Sequence, residues 1–546
     1  MTTHGRRLLL TLLILLGFGE AGWMAWKAGV QMAELQKARL AQRQVRQRTL
    51  APLTSIKGRL YSSAEVHTFL DAAKRAEAIQ NPLQRCVDYP DPPGSHWTRA
   101  AIEAYCQYHL QSTISFDEAQ TLIQNGHAAD LDRRLERDLQ LQFTRPESRG
   151  LLDHTFYNDF DNSSFDVRST LDAWKRASPS SAFAYAASGW AYLAMAEKAR
   201  GEAYIRDTPR SNIDAMDRLL TEADADLQRA VALNPKITPT YVAMIRIGSM
   251  SFGEAYMLKA AKQGLAVAPD SYAIYGMYSG AEEPRWGGSL QLMQQISNQA
   301  QAHVKENPLL ILLKSAGPAD EYDVCNCDSS ARWDAFPAVF DDVSSASLLF
   351  SAGYAANSAG HPDLAAIYLS EGLRFLPQVS HARMRRDYAL TNLGDSTWAL
   401  EEANRWIKKW PQSPWGYSMR GYAYKSTADY SHAAPDLEKA ATLDPTNTFP
   451  LIQLGKMYVY ETREWDKGWD VADRLVHAHP QDPEGWILRA SIQKGQPRDG
   501  LRDTARYFLD HFSDDPDQAD SVAWMRGMLP ATSGKTDIAA KSARNP

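Results

Sequence analysis

Prolines recur along the second half of the chain at a nearly constant spacing. Pro377, Pro411, Pro445 and Pro480 follow one another at intervals of 34, 34 and 35 residues. A proline ends a helix because its ring clashes with the preceding turn and its nitrogen carries no hydrogen. A period of about 34 residues is the length of two antiparallel helices with their connections. The spacing therefore predicts a row of helix pairs.

Small residues recur with the same period. Gly353, Gly421 and Gly455 stand 24, 24 and 25 residues before the prolines that end their units. A glycine at such a position lets the two helices of a pair approach closely. The pattern resembles the tetratricopeptide repeat, and the unit that ends at Pro235 carries it in longer helices. This resemblance implies stacked helix pairs with a continuous core and a concave face that holds partner proteins.

The predicted fold is all-α: a tetratricopeptide-type α-solenoid of helix pairs that follows a single N-terminal transmembrane helix. Hydrophobic residues make up 44% of the chain and charged residues 23%, a composition that excludes a mostly disordered protein. We assign residues 60–150 to a helical region, residues 340–528 to the repeat array and residues 529–546 to a disordered tail.

A middle part of the chain, residues 151–330, resembles the bacterial family catalogued as domain of unknown function 4034. The resemblance is carried by the segments LDAWKRASPSSAFAYAASGWAYLAMAEKARGEAY and EADADLQRAVALNP, and by a short motif comprising Arg285, Trp286, Gly287, Gly288 and Ser289. It implies a helical repeat fold in a Gram-negative bacterium and supplies no activity. Paired glycines could offer backbone amides to an anion. We favour a structural turn in which Trp286 is buried.

The N-terminal residues 1–27 contain the apolar run LLLTLLILLGFG, preceded by two arginines. With Trp23 and Trp26 as interfacial anchors, the segment approaches the roughly 20 residues that span a bilayer. A cleaved signal peptide is the alternative, because Gly19 to Ala21 resembles a cleavage site. Residues 28–59 are predicted to form a basic juxtamembrane helix, which could contact lipid headgroups or pair with another helix.

The location of the body depends on two signals that disagree. Basic residues after the apolar run favour a cytoplasmic body, whereas the sparse, even set of cysteines favours an oxidising compartment. We expect an inner-membrane, single-pass protein with a periplasmic body; a cytoplasmic body is the alternative. Nucleic acid is excluded as a partner, because the formal net charge is −6 and nucleic-acid binding needs a basic footprint.

The chain has four cysteines: Cys86, Cys106, Cys325 and Cys327. Four cysteines allow three disulfide connectivities, and sequence does not choose among them. We favour Cys86–Cys106 with Cys325–Cys327, although the second pair would close a small ring. A zinc site is the weaker interpretation, because a C-x-C pair lacks the usual C-x2-C spacing. No metal and no cofactor is predicted.

No enzyme activity is predicted either. Asp159 and Asp161 lie among aromatic residues, but on a helix two residues this close point to different faces and cannot act together. A capped turn before a helix near Phe165 explains them better. The leading functional hypothesis is a membrane-anchored scaffold that recruits protein partners.

The concave face of residues 340–510 is the predicted binding groove. Its candidate contact residues, chosen from helix phase, are Asn392, Arg420, Lys425 and Lys456. Two alternatives remain open: a structural component of an envelope assembly, with self-association through the N-terminal helices, and an enzyme with an unrecognised site in residues 60–330.

Overall fold

The computed structural model describes residues 58–203, 207–327, 330–496 and 498–529. The predicted membrane anchor (1–27), nearly all of the juxtamembrane segment (28–59) and almost the whole predicted tail (529–546) lie outside these ranges. Within the described ranges, no helix is both long enough and apolar enough to cross a membrane.

Helices account for the regular structure of all four ranges, and no strand occurs in them. The first three are α1 (Ser63–Glu77), α2 (Pro82–Val87) and α3 (Arg99–Leu110). The next eleven are α4 (Phe116–Gln124), α5 (Ala128–Thr144), α6 (Leu151–Thr155), α7 (Phe165–Ala177), α8 (Ala182–Arg200), α9 (Arg210–Leu233), α10 (Thr238–Ile247), α11 (Glu254–Val267), α12 (Tyr272–Ala281), α13 (Leu290–Gln301) and α14 (Ala316–Glu321). The remaining twelve are α15 (Phe336–Val339), α16 (Ala346–Ser358), α17 (Pro362–Phe375), α18 (Ser380–Asn392), α19 (Ser396–Lys409), α20 (Pro414–Ser426), α21 (Tyr430–Leu443), α22 (Phe449–Lys456), α23 (Trp465–Ala478), α24 (Pro483–Gly495), α25 (Leu501–Phe512) and α26 (Ala519–Arg526).

The described chain divides into two compact units, one of residues 111–322 and one that joins residues 58–110 to residues 323–529. This division differs from the predicted ranges 60–150 and 151–330. The physical reason is that α1 to α3 bury their apolar side chains against the start of the repeat array. Tyr105, for example, packs its ring 4.4 Å from that of Phe375.

The unit that contains the array is an α-solenoid of five helix pairs, α16/α17 to α24/α25. Within each pair the two helices pack on each other, and each first helix also contacts the first helix of the next pair. One core continues from pair to pair, because Leu437 of α21 and Leu454 of α22 belong to the same buried cluster. The predicted tetratricopeptide-like solenoid is confirmed for this unit.

Two of the predicted close crossings illustrate why glycine is needed. A Cβ added to Gly353 would lie 2.5 Å from Cγ of Leu369, and one added to Gly421 would lie 2.8 Å from Cγ of Leu437. Both leucines are fully buried. Each glycine thus faces a leucine of the second helix, sixteen residues later in the chain, as the repeat register predicts.

The unit that ends at Pro480 has one extra residue, and a π-helix at Met457–Glu461 accommodates it. The N–H of Thr462 donates to the carbonyl oxygen of Met457 at 2.9 Å, a bond across five residues instead of four. The extra residue is therefore absorbed inside the first helix, and α23 keeps the register of the other second helices. This π-bulge explains the interval of 35 residues.

The unit of residues 111–322 is also built from helix pairs. Its longest pair, α8 and α9, has 19 and 24 residues, which matches the lengthened helices predicted before Pro235. Trp174 and Trp190 belong to the buried core of this unit. Two further pairs, α10/α11 and α12/α13, follow it in the chain.

Candidate functional site

A row of aromatic side chains runs across the first helices of the array. Tyr354 of α16 lies 5.0 Å from His381 of α18, measured between ring centroids, and His381 lies 6.2 Å from Trp415 of α20. His381 is exposed and the other two rings are half-buried. These three residues lie on three successive first helices.

A second group of three rings lies on α18, α20 and α22. Tyr388 of α18 stacks on Tyr422 of α20 with centroids 4.9 Å apart, and Phe449 of α22 lies 5.9 Å and 5.5 Å from these two rings. All three are half-buried. We call the surface formed by these six aromatic residues the first-helix face; it is the surface predicted to be concave.

Three of the four predicted groove residues lie between successive first helices, beside this face. Lys425 pairs with Glu461 at 2.9 Å, and Lys456 pairs with Glu484 at 2.8 Å. Asn392 accepts a hydrogen bond from the hydroxyl of Tyr422 at 2.8 Å. Both lysines are therefore neutralised by carboxylates.

Arg420 is a correction to the predicted groove. Its Nε and Nη2 donate to the two carboxylate oxygens of Asp436, at 2.6 Å and 2.8 Å. Asp436 belongs to α21, so Arg420 points toward the second helix of its own pair. Helix phase misplaced it because its position in the repeat is the one that faces the partner helix.

The crossing between α18 and α19 is polar, which was not predicted. Asp387 stands where Gly421 stands in the next unit, 34 residues later, and it meets Glu402 of α19. Arg386, fully buried, contacts Glu402 and also Glu77 of α1. The sequence did contain a signal: the unit ending at Pro411 has no glycine at its crossing position.

Burial and neighbouring charges give the two carboxyl groups of this crossing different pKa values. Burial, together with the adjacent Glu402 carboxylate, raises the pKa of Asp387 well above its usual range. Burial opposes the ionisation of Glu402 too, but the guanidinium groups of Arg386 and Arg383 outweigh it and lower its pKa to about 2. The two pKa values are thus driven apart, so that Asp387 holds a proton more readily than Glu402.

A second buried arginine attaches α2 and the loop after it to α17. Arg374 is 1% exposed; its Nε donates to the carbonyl oxygen of Cys86 at 2.7 Å, and its Nη1 contacts Asp91 at 2.8 Å. It also pairs with Glu371, whose pKa burial raises to about 8 despite this arginine. These contacts explain why residues 58–110 belong to the array unit.

The sulfur atoms of Cys86 and Cys106 form a disulfide that links α2 to α3. The second disulfide joins Cys325 to Cys327 in the loop that precedes α15. This is the connectivity favoured from the sequence. Asp323, Cys325 and Cys327 place potential ligand atoms within 4.8 Å of one another, but the two sulfurs are bonded to each other and are not thiolates.

The short motif at Arg285 to Ser289 forms a turn before α13, with one correction. Trp286 is 63% exposed, whereas the sequence analysis predicted that it is buried. Gly288 accounts for the turn, because a Cβ there would lie 2.0 Å from the carbonyl oxygen of Glu282. Ser289 caps α13 through the N–H of Leu292. The close backbone approach, not a buried indole, is what the paired glycines permit.

Asp159 and Asp161 have different structural partners. Asp159 accepts a hydrogen bond from the N–H of Phe116 at 3.3 Å, and Asp161 pairs with Arg246 at 3.0 Å. The two carboxylates therefore hold separate elements of their unit, and they do not form a joint acid–base site.

Comparison with known proteins adds little to these observations. No protein-family model matches the chain, so the resemblance of residues 151–330 to domain of unknown function 4034 stays a prediction. No curated protein matches it either.

Solved structures that align with the chain include the APC/C hetero-tetramer Cut9–Hcn1, at 13% identity over 84% of this chain and 94% of that chain, with a TM-score of 0.29. Yeast Tom70 aligns at 10% identity over 84% and 92%, also with a TM-score of 0.29. The P58(IPK) TPR domain aligns at 13% identity over 72% and 98%, with a TM-score of 0.18. Scores this low carry no argument, and the fold assignment depends on the repeat register and the helix pairs.

Proposed function

We propose that this protein is a scaffold that binds a segment of a partner protein along the first-helix face. The observation that carries the proposal is the presence of two clusters of three partly exposed rings each on α16, α18, α20 and α22. Aromatic side chains dominate the energetics of protein interfaces, because they bury a large area and lose little conformational entropy. Repeat arrays expose such surfaces to extended peptides or helices.

The ion pairs beside the first-helix face indicate which kind of partner segment would bind. Since Lys425 and Lys456 already have carboxylate partners, a strongly acidic segment would have to displace Glu461 or Glu484. We therefore expect a segment with apolar or aromatic side chains that insert between the rings, and hydrogen bonds from its backbone to groups such as Asn392. No catalytic step is part of this function.

Site-specific photo-crosslinking in cells, with the full-length chain, tests the proposal. A photo-reactive amino acid at Tyr422 should capture specific partner proteins that mass spectrometry identifies. The matched control is the same amino acid at Lys439, which is exposed on the second helix α21. Equal capture from both positions would contradict the proposal, and capture of the chain by itself alone would favour self-association.

A second variant measures the contribution of the rings. Tyr388→Ala combined with Tyr422→Ala should weaken binding of the captured partner by at least roughly 30-fold, the effect expected from the loss of one hot-spot residue. Lys439→Ala should leave the affinity unchanged. An unchanged affinity in a double variant that melts as a folded protein would remove these two rings from the interface.

We further propose that the protein is held in the inner membrane by residues 1–27, with its body in the periplasm. The Cys86–Cys106 disulfide supports an oxidising compartment, because disulfides persist there and are rare in the cytosol. Digestion of spheroplasts with an external protease should degrade the body. Protection of the body until the membrane is dissolved would place it in the cytoplasm.

A further inference from the structure

The two disulfides of this protein lie in opposite surroundings. Cys86 and Cys106 are 2% and 0% exposed, and the backbone of Cys86 is bound by the buried guanidinium of Arg374. Cys325 and Cys327 are both exposed, in a loop. A thiolate must reach a disulfide sulfur to attack it, so exposed disulfides are the labile ones and buried disulfides persist.

The loop that carries Cys325 and Cys327 has a fixed base. Asp323 is 7% exposed; its Oδ1 accepts the N–H of Cys327 at 2.8 Å and its Oδ2 accepts the N–H of Ser330 at 3.1 Å. Asp323 and Asn326 have φ values of 48° and 51°, a conformation that residues other than glycine seldom adopt. Such backbone conformations persist where the surroundings impose them, and they cluster at functional sites.

A cavity of about 350 Å³ opens beside this disulfide. Its lining includes Cys325 and Asn326 from the loop and Ser351, Tyr354 and Ser358 from α16. Tyr354 is also the first ring of the first-helix face. The sulfur of Cys325 therefore lies next to open space at one end of the surface proposed to bind partners, and Cys327 is not among the lining residues.

We propose that Cys325–Cys327 is a thiol–disulfide exchange site that accepts electrons from cysteine thiols of a protein segment entering this cavity. A partner thiolate attacks Sγ of Cys325, the Cys325–Cys327 bond breaks, and Cys327 leaves as a thiolate that takes up a proton. A second thiolate of the partner then attacks the partner's sulfur in the mixed disulfide, its bond to Cys325 breaks, and Cys325 leaves as a thiolate that takes up a proton. The partner gains a disulfide, and the Cys325–Cys327 pair gains two electrons and two protons.

Asp323 can accept a hydrogen bond from a thiol in the reduced form of this site. Its Oδ1 lies 3.5 Å from Sγ of Cys325, within reach of a hydrogen bond from the thiol that exchange produces. The backbone bond from Cys327 to the same carboxylate keeps both sulfurs at the loop surface. Each chain transfers a single disulfide and then needs an external disulfide oxidant, such as oxidised glutathione, to act again.

The first experiment uses the native full-length chain and reduced glutathione, so its result does not depend on the proposed scaffold function. The protein is exposed to reduced glutathione, quenched with iodoacetamide at intervals, and mapped by mass spectrometry. Cys325 and Cys327 should be alkylated at least about tenfold faster than Cys86 and Cys106. Reduction of both pairs at the same rate, or only on unfolding, would overturn the proposal.

A second experiment separates the two sulfurs of the pair. Cys327→Ser leaves Cys325 as the free thiol beside the cavity, whereas Cys325→Ser leaves Cys327; both positions are exposed, so neither change disturbs the core. With oxidised glutathione, Cys327→Ser should form the mixed disulfide about tenfold faster than Cys325→Ser. Equal rates would show that the cavity does not select Cys325 and would refute the assigned point of attack.

Discussion

Two neighbouring helix pairs of the array carry the same interaction 34 residues apart, in different surroundings. In α18/α19, Arg386 pairs with Glu402; in α20/α21, Arg420 pairs with Asp436. The Arg386 side chain is 0% exposed and that of Arg420 is 23% exposed. The difference comes from α1, which adds Glu77 to the first pair, whereas Asp436 is the one carboxylate that pairs with Arg420 among the described residues.

The repeat register thus sets the backbone and the direction of each side chain. Burial sets how much a charge pair contributes to the free energy of unfolding. A buried ion pair whose partner is removed leaves a charge without compensation in a poorly polarisable medium. A pair near the surface keeps much of its hydration, and its loss costs little. An arginine–carboxylate pair can thus contribute more to stability in one unit than in the next.

The largest effect should come from Arg386→Met. It removes the guanidinium that pairs with Glu77 and leaves Glu402 with Arg383, and we expect the free energy of unfolding to fall by about 3–5 kcal/mol. The matched variant Arg420→Met should cost less, about 1–3 kcal/mol, because Arg420 is partly exposed and its loss leaves only Asp436 without its partner. Urea unfolding of both variants measures the difference, and equal losses would show that α1 does not set the weight of the pair.

A smaller effect is expected at the apolar crossing of α20/α21. Gly421→Leu would drive a side chain into Leu437, whose Cγ lies 2.8 Å from the position of the new Cβ. Overpacking of this kind costs about 1–3 kcal/mol. Gly360→Ala makes a useful contrast, since no atom lies within 4 Å of the new Cβ and only the positive φ of 79° opposes it. An unchanged melting temperature for Gly421→Leu would refute the register of this pair.

The fold could be predicted from the sequence because it depends on short-range regularities. Proline intervals locate the ends of second helices, and Gly353 and Gly421 locate the crossings, so the helix pairs follow from local rules. The polar crossing at Asp387 and Arg386 could not be predicted in the same way. Its partner Glu77 lies 309 residues from Arg386 in the chain, and no local pattern reports that contact.

The candidate site was predictable only in part, for the same reason. Lys425 and Lys456 were placed beside the first-helix face by helix phase, but their carboxylate partners on the next pair were not foreseen. Trp286 was expected to be buried in its turn, and it is exposed, whereas Gly288 makes the close approach to Glu282. Helix phase predicts the direction of a side chain. The residue that this side chain contacts is known only from the tertiary structure.

The smallest effect should come from Asp387→Asn, and its dependence on pH gives the sharpest test of the polar crossing. An aspartate in the unfolded chain has a pKa of about 3.9. Because burial and Glu402 raise the folded-state pKa of Asp387, the folded protein holds an extra proton above that pH, and stability falls as the pH rises toward the folded pKa. Asparagine keeps the shape and the donor and does not titrate. The free energy of unfolding of the variant should differ from that of the wild type by less than about 1 kcal/mol near pH 4. The variant should become more stable relative to the wild type as the pH rises.

Glu402 titrates in the opposite sense and serves as the internal control for that measurement. Its pKa of about 2 means that its contribution is complete above its unfolded pKa and declines as the pH falls toward that value. This acid loss is present in both proteins, so it cancels when Asp387→Asn is compared with the wild type. Denaturant unfolding of the two proteins across acid to neutral pH therefore isolates Asp387. Parallel curves would show that Asp387 is ionised in the folded protein, and the crossing of α18/α19 would then contain two carboxylates held together by Arg386 and Arg383.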